Sequence, residues 1–152
     1  MMCLMDCNHF FIPSVEEILA NLNHHLIMAE SVLIIDDSLY MRTVLNDVLN
    51  VAGYKVLATA KNGDEGIDLC GIYRPSIILM DSSLPDVELG TMLHEVNNIS
   101  PVSKVIIFVS IGLQSVIDEG MNKGVFDYMI KPFTIEGLVS TVNKASGRKH
   151  IN

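Results

Sequence analysis

The chain has 152 residues and a mass of 16.8 kDa, enough for one domain with its own core and too little for two of ordinary size. With 49% hydrophobic residues it is not a disordered chain. Its net charge of −8 and pI near 4.9 exclude nucleic acid as the main partner, because phosphate backbones are bound by clustered lysine and arginine.

The first thirty residues differ from the rest. They carry Asp6, Glu16, Glu17 and Glu30 and neither lysine nor arginine, which is half of the net charge. Cys3, Cys7 and His9, with His24 and His25 further on, have metal-ligating side chains, but their spacing fits no usual zinc pattern. Together with Cys70 they make an odd, sparse cysteine set, which suits a reducing cytoplasm and not a disulfide framework. No apolar stretch approaches the length of a membrane span and no basic segment precedes an apolar one, so a cytoplasmic protein without membrane insertion is expected. Ser14 and Glu17 form a capping box after Pro13, and Val15, Ile18, Leu19, Leu22 and Leu26 follow at helical spacing, which predicts an amphipathic helix over residues 14–28. Its apolar face would dock on the domain or pair with a second copy. Alternatively, translation begins at Met28 and residues 1–27 are not part of the native protein.

From Ser31 the pattern alternates. Val32 to Ile35 is a short all-apolar run ending in Asp36-Asp37-Ser38 and reads as a strand buried on both faces. A helix with Met41, Val44, Leu45, Val48 and Leu49 on one face follows and stops at Gly53. Lys55 to Ala60 is a second strand, and Asn62-Gly63 opens a second helix through Ile67 and Leu69. Ile77 to Met80 is a third strand ending in Asp81, and a helix over 88–97 follows. Val105 to Val109 is a fourth strand, ending at Ser110, with a helix from Gln114 to Lys123 after it. Asp127 to Ile130 is a fifth strand, ending at Lys131-Pro132. The last helix carries Leu138, Val139 and Val142, and residues 147–152 read as a flexible tail. Continuous apolar strands alternating with helices predict an α/β domain over 31–146: a five-stranded parallel sheet with five helices covering both faces, plus the extension 1–30.

Asp36, Asp37, Asp81, Ser110 and Lys131 all fall at the carboxyl ends of predicted strands. Ligands of open α/β sheets bind outside those ends, near the reversal of strand order, so these residues should converge. Three close carboxylates repel one another unless a hard divalent cation such as Mg²⁺ relieves them. The Lys131 ammonium suits a phosphoryl oxygen, the Ser110 hydroxyl is a donor, and Asp81 is a candidate carboxylate nucleophile toward phosphorus. Taken singly each has a simpler use. A strand-end Asp often caps a helix, Ser110 suits a turn, and Lys131 suits a solvated surface.

The segments LIIDDS (Leu33 to Ser38), ILMDSSLPD (Ile78 to Asp86), IIFVS (Ile106 to Ser110) and FDYMIKPF (Phe126 to Phe133), in this order and spacing, resemble the receiver domains of two-component response regulators, CheY-like and single-domain. The resemblance runs from about Val32 to Ala145. It implies the doubly wound, flavodoxin-like sheet of order 2-1-3-4-5 and a phosphoprotein of two-component signal transduction. Asp81 would be the phosphoacceptor. Asp37, Asp81 and the Ser83 carbonyl would bind Mg²⁺ or Mn²⁺, with Asp36 reaching it through water. Lys131 and Ser110 would contact the phosphoryl group, Pro132 would follow a cis peptide, and Tyr128 would be the switch aromatic. The phosphoryl donor would be a sensor histidine kinase or phosphotransfer protein. The output would be contact with a protein target, through the last helices and strand five, by a stand-alone monomer or weak dimer. It would catalyse only its own phosphorylation and dephosphorylation.

Three departures from that pattern carry expectations. Ile111 replaces a small residue after Ser110 and would crowd the phosphoryl site. Ser83 and Gly112 offer no carboxylate or amide to orient an attacking water, so loss of the phosphoryl group should be slow. Glu88-Leu89 replaces an Asp-Gly pair, and Leu89 should disturb a loop where glycine would permit positive φ. A phosphorylation-independent binding module is the alternative. A small-molecule phosphatase using an aspartyl phosphate ranks below both, because its general acid would stand at Ser83 and no cap domain fits in this length.

Overall fold

The computed structural model describes residues 12–20 and 30–148. Cys3, Cys7, His9, His24, His25, Leu22, Leu26 and Met28 lie outside the described residues. Helix α1 is described over residues 15–20. Its capping box is formed: the Ser14 amide donates to Glu17 Oε2 at 3.0 Å, and the Glu17 amide donates to Ser14 Oγ at 3.1 Å. Val15, Ile18 and Leu19 are exposed on it.

Five strands and five further helices follow: β1 (Ser31–Ile35), α2 (Leu39–Val51), β2 (Lys55–Ala60), α3 (Gly63–Tyr73), β3 (Ile77–Asp81), α4 (Leu89–Ile99), β4 (Lys104–Ser110), α5 (Gln114–Asn122), β5 (Asp127–Lys131) and α6 (Ile135–Ser146). All strand pairs are parallel, in the order β2-β1-β3-β4-β5. This is the doubly wound order expected, and it reverses between β1 and β3.

The continuous apolar strands are explained by two cores. Successive side chains of a strand point to opposite faces. Leu33, Ile35, Ile78, Met80, Ile107 and Val109 enter one cluster with Met92, Leu93, Val96 and Ile117 of α4 and α5. Val32, Ile34, Ile77, Leu79, Ile106 and Phe108 enter the other with Leu45, Leu49, Leu138 and Val142 of α2 and α6. The free thiol of Cys70 is fully buried in the first cluster.

Helix ends follow local chemistry. Ser38, Asn62 and Thr134 cap α2, α3 and α6 with their side chains, whereas Glu88 provides no side-chain cap for α4. Leu89 corrects the expectation placed on it. It starts α4, is 8% exposed and belongs to the core. Arg74 is the one non-glycine residue with positive φ among the described residues, so no left-handed position is needed at Leu89. Burial, not backbone freedom, explains a large apolar side chain there. Arg148, read from sequence as part of a flexible tail, is held. Its guanidinium donates to the carbonyls of Ala52 and Gly53 and lies 4.0 Å from the centre of the Tyr54 ring. No helix among the described residues is long and apolar enough to cross a membrane.

Candidate functional site

The reversal between β1 and β3 puts the loops after both strands side by side. Asp36 and Asp37 leave the end of β1, and Asp81 is the last residue of β3. One carboxylate oxygen from each lies within 4.8 Å of the others. Asp36 is 1% exposed, Asp81 is partly buried and Asp37 is exposed. Ser110 and Lys131 are register partners at the ends of β4 and β5. The Lys131 ammonium donates to Asp36 Oδ2 at 3.3 Å and to Asp81 Oδ2 at 3.2 Å. Residues from four strands thus meet at one edge of the sheet.

The backbone holds two of the carboxylates from behind. The Ser38 amide donates to Asp36 Oδ1 at 2.8 Å, and the Ser83 amide donates to Asp81 Oδ1 at 3.0 Å. Arg42, one turn into α2, donates to the Asp36 carbonyl at 2.7 Å and ties the helix to this loop. The simpler use of Asp36 as a helix cap is not the one found, because Ser38 caps α2. Burial pushes the Asp36 carboxyl above the usual carboxylate range, more than the Ser38 amide and the Lys131 ammonium draw it down. Burial alone would lower the Lys131 ammonium, but the charges of Asp81 and Asp36 outweigh it and hold lysine above its ordinary range.

The donor set has a definite preference. Three carboxylates with no imidazole or thiolate among them suit a hard, oxygen-seeking divalent cation. The site residues therefore fit such an ion.

The remaining predicted residues take different places. The Lys131–Pro132 peptide is cis. Tyr128 lies on edge strand β5, paired with Ile107, and is 37% exposed. Ser83 is exposed in the loop after β3. Ile111 corrects an expectation: it is 77% exposed and does not fill the site. The turn after β4 carries it outward, with Gly112 at φ +87°, a conformation that favours glycine. Sequence reasoning missed Arg42, whose one signal in the sequence is its place in the first turn after Asp36-Asp37. It also missed Phe108. The Phe108 ring stacks on Phe133 with centroids 4.9 Å apart, and the Lys131 ammonium sits 5.8 Å from its centre. Lys131 is therefore backed by the core.

The sequence matches the response regulator receiver domain family over residues 32–143. It is 34% identical over 119 residues to the chemotaxis protein CheY of Thermotoga maritima, covering 78% of this chain and 99% of that protein. It is 32% identical over 117 residues to the sporulation initiation phosphotransferase F of Bacillus subtilis, covering 77% and 94%. A solved receiver domain protein from Clostridium thermocellum is similar with a TM-score of 0.73 at 27% identity, covering 78% of this chain and 95% of that one.

Proposed function

The chain belongs to the response regulator receiver domain family, and from that premise we propose that it is a phosphorylation-dependent switch whose acceptor is Asp81. A sensor histidine kinase or phosphotransfer protein supplies the phosphoryl group. An Asp81 carboxylate oxygen forms the new bond to phosphorus as the bond from phosphorus to the donor imidazole nitrogen breaks, and the imidazole keeps that electron pair. Asp37, Asp81 and the Ser83 carbonyl would hold Mg²⁺, with Asp36 acting through water, and the ion would neutralise charge on the transferring group. Lys131 exchanges part of its contact with Asp81 for a phosphoryl oxygen. The Ser110 hydroxyl donates to another, and Tyr128 responds on the neighbouring strand. The resulting change in surface is read by a protein target. The protein modifies itself and does not turn over a separate substrate.

The observation that carries this reading is the three-carboxylate cluster within 4.8 Å, with Asp36 and Asp81 bridged by Lys131 from the end of β5. Acetyl phosphate is expected to label the wild type only when Mg²⁺ is present, and Asp81→Asn is expected to abolish labelling in intact-mass spectra. An unlabelled wild type would favour the phosphorylation-independent binding module. A labelled Asp81→Asn would move the acceptor elsewhere.

The phosphorylated protein is also expected to persist for minutes or longer. Ser83 and Gly112 provide no side-chain carboxylate or amide to orient water, and this expectation rests on them, since Ile111 is solvent-exposed. Decay followed after removal of the donor tests it, and a half-life of seconds would refute it.

A further inference from the structure

The loop between β3 and α4 bears Ser83 at one end and is anchored at the other by contacts that no motif predicts. Asp86 Oδ1 accepts from the Gly63 amide at 2.8 Å, and Asp86 Oδ2 accepts from the Asp64 amide at 2.9 Å. These are the first two amides of α3, which lack partners within the helix. The side chain of the helix's own cap, Asn62, accepts from the Glu65 amide instead. The two amides hold the Asp86 carboxyl below the usual carboxylate range, Asp64 first and Gly63 second. Val87 seats against the same turn. A Cβ on Gly63 would lie 2.7 Å from Val87 Cγ2 and 3.0 Å from Met92 Sδ, so the absence of a side chain at Gly63 lets the loop approach. On its other side α4 has no side-chain cap at Glu88.

We propose that Asp86 is a positioning residue for the cation site, clamping the β3–α4 loop to the first turn of α3 so that Ser83 and Asp81 are held ready for the ion. The proposal rests on reading the Asp36, Asp37 and Asp81 cluster as a divalent-cation site. A carboxylate bonded to two amides at a helix N-terminus is a strong, directional anchor. From Asp86 the chain runs back only three residues to Ser83, whose amide already fixes Asp81 Oδ1. Loss of the clamp would let the Ser83 carbonyl and the Asp81 carboxylate wander, and the ion would have to order them on binding.

The test is Mn²⁺ titration of the full chain, with free Mn²⁺ read by electron paramagnetic resonance. Asp86→Ala is expected to weaken Mn²⁺ binding about tenfold, the lower end of what loss of a partner behind metal ligands brings. Asp86→Asn, which keeps the shape and one acceptor, should fall between, and it serves should the alanine variant fail to fold. Asn62→Ala is the control. It removes the cap of α3 but leaves the clamp, so it should lower the melting temperature while binding Mn²⁺ as the wild type does. Labelling of Asp86→Ala by acetyl phosphate should be slow at low Mg²⁺ and recover at saturating Mg²⁺, which a purely structural defect would not do. Equal Mn²⁺ affinity in the wild type and both Asp86 variants overturns the clamp alone. Equal weakening in Asn62→Ala overturns it as well, by reducing it to helix stability. A wild type that binds no Mn²⁺ overturns the cation reading and the clamp with it.

Discussion

Phe108→Ala is expected to destabilise the protein by about 3–5 kcal/mol, the range for truncating a buried aromatic side chain. Phe108 is 1% exposed on the central part of β4. Its ring packs in the core shared by α2 and α6 and stacks on Phe133 with an interplanar angle of 19°. Alanine would remove the ring from a close-packed interior, leave a void, and strip the stack from Phe133. Against a total stability of roughly 5–15 kcal/mol, that is a large fraction, and the melting temperature should fall by on the order of 15 °C. Urea unfolding checks the figure, and a loss below about 1 kcal/mol would show that the site collapses around the missing ring. Phe108→Leu, which keeps most of the apolar volume, should lose much less. The two variants also separate stability from function. Phe108 lies beneath the Lys131 ammonium, so the alanine variant should also be labelled more slowly by acetyl phosphate below its melting transition.

The contrast between Phe108 and Asp81 shows what a sequence can disclose. Asp81 was legible because it ends an apolar run, and parallel sheets place such ends together whatever the loops do. The same logic reached Asp36, Asp37, Ser110 and Lys131, and the strands themselves were plain because both faces of the sheet are covered. Asp86 was legible only as part of a family-like segment. Its partners, Gly63 and Asp64, are 23 and 22 positions away, and nothing periodic links them. Gly63 reads in the sequence as part of a helix start, and in the structure its missing side chain also admits Val87. Leu89 and Ile111 mark a different limit. Comparison with a family pattern identified both as departures, but it could not say where a substituted side chain would go. One is buried and the other turned to solvent. Direction of a side chain at a loop is settled by long-range packing, which spacing along the chain does not encode.

Lys131→Met is expected to destabilise the metal-free protein by about 3 kcal/mol at neutral pH. Removing one partner of a buried ion pair brings about 3–5 kcal/mol. The lower figure applies because Lys131 keeps 27% of its side-chain exposure and Asp81 keeps 13%. Methionine preserves an apolar stem of similar length, so the loss reports the charge. Without the ammonium, Asp36 is left 1% exposed beside Asp81 with no cation between them. The pH dependence follows from the direction of the Asp36 shift. Burial already raises its carboxyl in the folded protein, and loss of Lys131 raises it further. The folded state then holds a proton that the unfolded chain releases near pH 3.9. Folding therefore loses stability as pH rises from about 4 through the raised folded value. The deficit of Lys131→Met should be small near pH 4 and full at pH 7. In the wild type, the raised Lys131 value means that its own contribution is intact at neutral pH and fades only as pH climbs through and above the ordinary lysine range. Mg²⁺ should narrow the neutral-pH deficit, because without the competing ammonium the carboxylates of the variant bind the cation more tightly than those of the wild type, and each tenfold difference in affinity returns about 1.4 kcal/mol at saturating ion. Adding Asp36→Asn should restore much of the remainder, a coupling that a double-mutant cycle reads directly. A deficit that is the same at pH 4 and pH 7, and is unmoved by Asp36→Asn, would mean that Lys131 supports the fold by packing alone.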